Sequence, residues 1–417
     1  MQPLRMLQAY RSLLASQWLD RDRLRALQEE KLRRLIPHAY ATVPHYRRLF
    51  DEAGIDPSRI RTLEDLTRVP ITAKPDLQTA EPGTIVSSAY RLEELTAART
   101  TGSTGRPMTT YYDARFLQIR NALFLRALTV AGYRLGRHRM MLITDERAKR
   151  SRPLLRWRYV SDEETPERML AEFRAFRPHV LYGLVTPLRQ MVLAARAEGA
   201  TLPRLDAVIT TAESLDPGTR RLLGEAFQAP VFDIYGLTEM GPMAWECPHH
   251  AGYHLSEDTA VIELVPTGHG DSHSLVITNL ELYGMPLIRY RTGDLARRGP
   301  EGRCACGRRL ARLEAVEGRA VDAVRLRDGQ TVSPYRITVS LGRIPGFQRY
   351  QVIQHDLSTF TVRFESPPER EAEVARDIRT VLASIVGSDA VIEPRREPSL
   401  DPPPGRKFRT VECRLPA

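Results

Sequence analysis

The chain has 417 residues, 42% hydrophobic and 27% charged, and 61 Lys and Arg against 51 Asp and Glu give a formal charge of +10. That length supports a large core and two or three domains, and a mixed composition without low-complexity tracts excludes a disordered chain. No apolar run approaches the ~18–20 residues that cross a bilayer. Arg5, Gln8, Arg11 and Gln17 interrupt the N-terminus as a secretion signal, so a cytoplasmic setting is expected. Arg21, Arg23 and Arg25 alternate with Asp20, Asp22 and Glu29, and no basic run is interleaved with aromatics. Nucleic acid is therefore not the expected partner, and a polyanionic small molecule accounts for the charge more simply.

Residues 11–50 read as helical, with Leu13, Leu14, Trp18, Leu24, Leu27, Leu32 and Leu35 favouring one face and Pro37 and Pro44 interrupting the pattern. From about 114 to 235, helical and strand-like pieces alternate. Helices are expected over Phe116–Val130, Pro166–Phe176, Pro187–Ala197 and Gly218–Phe227. Strands are expected at Met140–Thr144, Val180–Tyr182, Ala207–Thr210 and Val231–Ile234. Such alternation predicts an α/β fold with a mostly parallel sheet covered by helices. Ala260–Val265, Ser274–Thr278 and Pro286–Tyr290 read as strands without intervening helices, which predicts a β-subdomain over about 245–317. After about Gly318, the strands Tyr350–Ile353 and Phe360–Phe364, the helix Glu371–Val386 and the strand Val391–Ile392 predict a small α+β domain, residues 318–417, beside a core of residues 1–317.

Three segments carry chemistry. Thr100-Thr101-Gly102-Ser103-Thr104-Gly105-Arg106-Pro107 has two glycines that allow close backbone approach, with hydroxyls and N–H groups that can donate to phosphate oxygens. A surface turn is the plain alternative, and the Gly-Lys-Ser/Thr ending of a Walker loop is missing. Tyr235-Gly236-Leu237-Thr238-Glu239 follows the strand Val231–Ile234, where open α/β sheets bind ligands. Tyr235 offers a flat face for a purine or aryl group and Glu239 a carboxylate for Mg²⁺. Tyr290-Arg291-Thr292-Gly293-Asp294 reads as a strand running into a turn, with Asp294 able to accept from ribose hydroxyls.

In this order and spacing the three segments resemble the adenylate-forming superfamily of acyl-CoA ligases, adenylation domains and luciferases. The chain is most similar to its phenylacetate-CoA ligase branch and that branch's capsule-biosynthesis relatives. Lys31–His38, Val43–Tyr46, the Pro70-Ile71-Thr72-Ala73-Lys74 segment and Thr211-Ala212-Glu213 extend the resemblance over nearly the whole chain. It implies ATP, Mg²⁺ and coenzyme A as cofactors, with Thr100 to Gly105 on the phosphates, Glu213, Tyr235, Gly236 and Thr238 about the adenylate, Glu239 supporting Mg²⁺ and Asp294 on ribose. Arg319, in Gly318-Arg319-Ala320-Val321-Asp322, matches the arginine at the domain junction, and Lys407 the catalytic lysine of a mobile lid. Three departures stand out: Val321 occupies the usual hinge position, Arg325–Pro334 alters the following glycine-rich stretch, and Arg406 stands where the lysine commonly follows glycine.

The four cysteines, Cys247, Cys304, Cys306 and Cys413, are too sparse for a disulfide framework. Cys247, Cys304 and Cys306 with His254 can form a closed Cys₃His set for structural Zn²⁺, with His249 or His250 as substitutes and ordinary buried cysteines as the plain reading. The expected activity is ATP-dependent activation of a carboxylic acid, aromatic if it follows the branch, through an acyl-adenylate and then to a coenzyme A thioester. Transfer to an amine or a carrier protein, and nucleotide binding without catalysis, are the alternatives. Relatives of this branch tend to dimerise, so a homodimer is an expected assembly.

Overall fold

In the computed structural model the N-terminal segment folds as three helices, Pro3–Ser16, Arg21–Thr42 and Pro44–Glu52. Asp20 starts the second by accepting a hydrogen bond from the Arg23 backbone N–H, which satisfies a donor left over at the helix end. Pro37 lies inside this helix and does not interrupt it as the sequence suggested. A mid-helix proline costs about 3 kcal/mol, but Leu32, Leu35, Ile36 and Ala39 around it are buried against Tyr46, Phe50, Leu280 and Ile288. Packing of that face outweighs the lost backbone bond. Pro44 opens the next helix at a position where no N–H is needed.

The structure describes residues 3–99, 108–144, 155–267, 271–346, 349–402 and 408–415. By compactness the chain divides into one unit of residues 1–130, 235–267 and 273–314 and another of 131–234, 268–272 and 315–417. In the first, the hairpin Thr96–Arg99 and Thr109–Tyr112 brackets the glycine-rich stretch, whose residues Thr100 to Pro107 lie outside the described residues. Gly241–Glu246 pairs antiparallel with Tyr253–Leu255, and Ala260–Pro266 with Ser272–Asn279. The short strand Thr72–Ala73 lies parallel to the start of Tyr290–Arg298. Helix Ala114–Val130 is fastened by Arg126, fully buried, whose Nη1 lies 2.5 Å from the Asp258 carboxylate. Arg126 also donates to Leu13 O and Ser256 Oγ, so the pair is hydrogen-bonded on several sides, as a buried charge pair must be.

The second unit holds five parallel strands in the order Trp157–Ser161, Met140–Thr144, Val180–Leu184, Ala207–Thr211 and Val231 onward. Helices Pro166–Phe176, Val185–Ala197 and Pro217–Phe227 alternate with them and share an apolar core of Met169, Phe173, Leu188, Met191 and Phe227. A four-stranded sheet in the same unit has the order Val391–Arg396, Thr359–Glu365, Arg349–Gln354, Val411–Cys413, with helix Glu371–Val386 burying Val374, Ile378 and Leu382. The mixed α/β class expected from the sequence is therefore present. Two strand ends differ from expectation. The strand Val231–Leu237 runs three residues past Ile234, and a strand begins rather than ends at Tyr290, continuing to Arg298. Gly293 sits inside that strand at φ +81°, a conformation open to glycine, so a strand can pass through a segment that reads locally as a turn.

Candidate active site

Tyr235, Gly236 and Thr238 come from the end of the strand Val231–Leu237 and the turn after it, and Asp294 from the strand Tyr290–Arg298. The Tyr235 hydroxyl donates to Asp294 Oδ2 at 2.6 Å, fixing the phenol ring and a buried carboxylate together. Gly236 suits a close approach: a Cβ there would stand 3.1 Å from the Gly241 carbonyl oxygen, a tight contact. The Tyr112 hydroxyl donates to the Thr238 carbonyl, which ties the turn to the hairpin bracketing the glycine-rich stretch.

Glu239 is only 4% exposed. Its Oε1 accepts a hydrogen bond of 3.0 Å from the Tyr290 hydroxyl and lies 3.1 Å from Lys74 Nζ. The register explains this meeting of residues 165 positions apart. Thr72 and Ala73 pair with Tyr290 and Arg291, so the helix that begins at Lys74 starts beside Tyr290. A carboxyl group at this depth needs such partners. Among the described residues both contacts fall on Oε1, leaving Oε2 to meet a hard cation, which takes oxygen donors.

Sequence reasoning gave no role to Lys74 or Tyr290, although both stand in segments it singled out. One signal was available: only four of the 61 Lys and Arg residues are lysines, at 31, 74, 149 and 407. A lysine in so arginine-rich a chain marks a place for a compact point charge.

In the second unit, Ala212 adopts the left-handed region at φ +67° and turns Glu213 toward the backbone. Glu213 accepts from the Thr186 N–H at 2.6 Å and from the Phe408 N–H at 3.3 Å. Arg319 ends the strand Arg312–Arg319 and is half-buried, while Asp322 just beyond it pairs with Arg409. Lys407 lies outside the described residues.

Cys247, His254, Cys304 and Cys306 gather so that their ligand atoms lie within 4.8 Å of one another. His254 is placed by pairing of Tyr253–Leu255 with Gly241–Glu246, and Cys247 follows that second strand directly. Gly252, at φ +89°, passes so close to Leu313 that a Cβ would stand 2.2 Å from its carbonyl oxygen. The Cys247 and Cys304 sulfurs are 3.8 Å apart, and Cys306 Sγ is 3.4 Å from His254 Nε2. A tetrahedral metal with bonds of ~2.3 Å to sulfur and ~2.0 Å to nitrogen would space such pairs by ~3.8 and ~3.5 Å. Burial, with Arg308 and Arg312 nearby, lowers the His254 pKa to about 4, so its imidazole is neutral and able to ligate. Burial pushes the Cys247 thiol up to about 12, so a thiolate there calls for a cation. His249 and His250 are exposed and stand outside this group.

No family model matches the chain. A phenylacetate-coenzyme A ligase of Thermus thermophilus is 32% identical over 406 residues, covering 90% of this chain and 87% of the relative. The chain belongs to the phenylacetate-coenzyme A ligase family. The Escherichia coli phenylacetate-coenzyme A ligase is 27% identical over 401 residues, covering 88% of this chain and 89% of its own. A solved 2-hydroxyisobutyryl-CoA ligase, 22% identical, superposes with a TM-score of 0.80 over 95% of this chain and 91% of its own, a likeness of fold.

The Lys74–Glu239 pair gives a first test. Glu239→Gln removes the negative partner and leaves Lys74 mostly buried, which should cost roughly 1–3 kcal/mol of unfolding free energy in urea titration. Adding Lys74→Met should recover much of that loss. Strictly additive losses in the double variant would mean that the two side chains do not interact.

Proposed function

We propose that this chain couples ATP cleavage to activation of a carboxylic acid, forming an acyl-adenylate and then a thioester with coenzyme A. The observation that carries the reading is family likeness across nine-tenths of the chain to ligases that join an acid to coenzyme A. In the first step a carboxylate oxygen bonds to the α-phosphorus of ATP and the bond to pyrophosphate breaks. In the second, the coenzyme A thiol loses its proton and its sulfur attacks the acyl carbon, and AMP leaves with the oxygen that the acid supplied.

Two anions must meet in the first step, so catalysis is mainly positioning and charge stabilisation. Tyr235 presents its ring to the adenine and Asp294 accepts from the ribose hydroxyls, the two held in register by their own hydrogen bond. Thr100 to Gly105 donate to phosphate oxygens, and Glu213, Gly236 and Thr238 shape the nucleotide cradle. Glu239 is the acid that would hold Mg²⁺, which when bound neutralises charge between carboxylate and phosphates. Lys74 and Tyr290 hold that carboxylate in place through its Oε1. Arg319 marks the junction at which residues 318–417 turn as a lid against residues 1–317, and Lys407 approaches the reacting oxygens from that lid. Structural Zn²⁺ on Cys247, His254, Cys304 and Cys306 fastens the β-subdomain. The acid is an aromatic carboxylate, as the names of the relatives suggest.

Pyrophosphate release with ATP and Mg²⁺ across aryl, arylacetic, fatty and amino acids, with and without coenzyme A, tests the reading. Release that depends on one acid, and gives its thioester only with coenzyme A, is the expected result. Acid-dependent release without a thioester would move the acceptor to an amine or carrier protein, and no release with any acid would contradict the assignment. Metal analysis of protein purified without added zinc should find about one zinc per chain. Cys304→Ser should lose it and melt at lower temperature. Metal-free protein of equal stability would return these cysteines to ordinary packing.

A further inference from the structure

In the first unit, cations on the helix Ala114–Val130 and beside Glu239 are paired. Arg115 meets Glu281, Arg126 meets Asp258, and Lys74 meets Glu239. Arg120, on the same helix and half-buried, differs. Among the described residues it forms no ion pair and no hydrogen bond. The stretch Thr100–Pro107 contains no acidic residue to supply one. Its guanidinium lies over the Tyr112 ring, 5.3 Å from the centre. A cation–π contact of this kind uses the charge and leaves the N–H donors without an acceptor.

Three observations put that guanidinium beside the turn that carries Glu239. The Tyr112 hydroxyl donates to the carbonyl of Thr238, the residue before Glu239. Burial raises the Tyr112 pKa, opposed by the charge of Arg120 and reinforced by that of Glu239, so both charges stand near the phenol. Gly241, two residues past Glu239, carries the arginine stem: a Cβ there would stand 2.7 Å from Arg120 Cγ. A half-buried cation with unused donors, next to the place where an acid is activated, calls for an anion from the ligand. The reacting carboxylate belongs with Glu239 and its Mg²⁺. We infer that Arg120 sets the substrate class: the acid carries a second anionic group, away from the carboxylate that reacts, and Arg120 binds it as a fork. This deepens the function proposed above and rests on it. Joined to the aromatic skeleton proposed there, it makes the substrate an aromatic dicarboxylate. A neutral acid of the same size would cover the guanidinium and leave it unpaired, so Arg120 rejects as well as attracts.

The test compares acids of one skeleton on the full-length enzyme: phenylacetates with a carboxylate at the ortho, meta or para ring position, against the same series with a methyl group. Thioester formation with ATP, Mg²⁺ and coenzyme A gives kcat/KM for each. Wild-type enzyme should favour one carboxylated acid over its methyl counterpart by roughly tenfold or more. Arg120→Leu should lower that ratio by roughly tenfold or more. Both acids use the same ATP, coenzyme A and fold, so the ratio responds to contact with the far end of the acid. Arg120→Lys keeps the charge and loses the fork, so it should hold part of the preference, and it serves should Arg120→Leu misfold. A wild-type preference for the methyl series, or a ratio that neither variant changes, would overturn the inference and leave the proposed function standing. So would thioester formation from other acids of the wider panel and from neither series. No thioester from any acid would overturn the proposed function, and the inference with it.

Discussion

Charge taken out of water is the constraint on which both units depend. Each carries ionised groups at depths where an unpaired charge is costly, and each compensates with short, multiply bonded pairs. In the first, Arg126 and Asp258 fasten the N-terminal helix Pro3–Ser16 to helix Ala114–Val130 through Leu13 and Ser16. Lys74 and Tyr290 hold Glu239 in the same way. In the second, Arg189 and Arg349 share Asp401. Chemistry that joins a carboxylate to a triphosphate faces the same constraint, and a scaffold of fixed, paired charges answers it without reorganising at the moment of reaction.

Elements with strong periodicity were legible. Helices Pro166–Phe176 and Glu371–Val386 and the strand Met140–Thr144 stand where apolar spacing places them, because each buries one face or a continuous run against its own core. Pro37 misled because its penalty is local while the packing of Leu35 and Ile36 depends on residues more than two hundred positions away. Tyr235 and Gly293 misled because glycine next to polar residues looks like a turn, although here the strands continue through them. Lys74 and Tyr290 could not be joined to Glu239 from sequence, since their meeting rests on the parallel pairing of Thr72–Ala73 with Tyr290–Arg291. Motif order pointed to Tyr235, Glu239 and Asp294, but the side chains that hold Glu239 in place emerged only from the tertiary structure.

The cysteine cluster shows the opposite balance. Residue type and approximate spacing suggested four ligands with three candidate histidines, and strand register brings His254 in while His249 and His250 face solvent. Trp245 lies against both His254 and Arg308, and Arg308 also lies over the Trp18 ring. The ligand group is thus packed into the same body as the loop that follows the first helix, so occupancy by a metal would stabilise more than its own turn.

Oxygen tracing is the most direct test of acyl-adenylate chemistry. The enzyme would be given its acid labelled with ¹⁸O in the carboxylate, together with ATP, Mg²⁺ and coenzyme A, and the AMP and pyrophosphate analysed by mass. Attack by the carboxylate on the α-phosphorus predicts one ¹⁸O atom in each AMP and none in pyrophosphate. Unlabelled AMP, or label in pyrophosphate, would contradict an acyl-adenylate intermediate and the account of the site built on it.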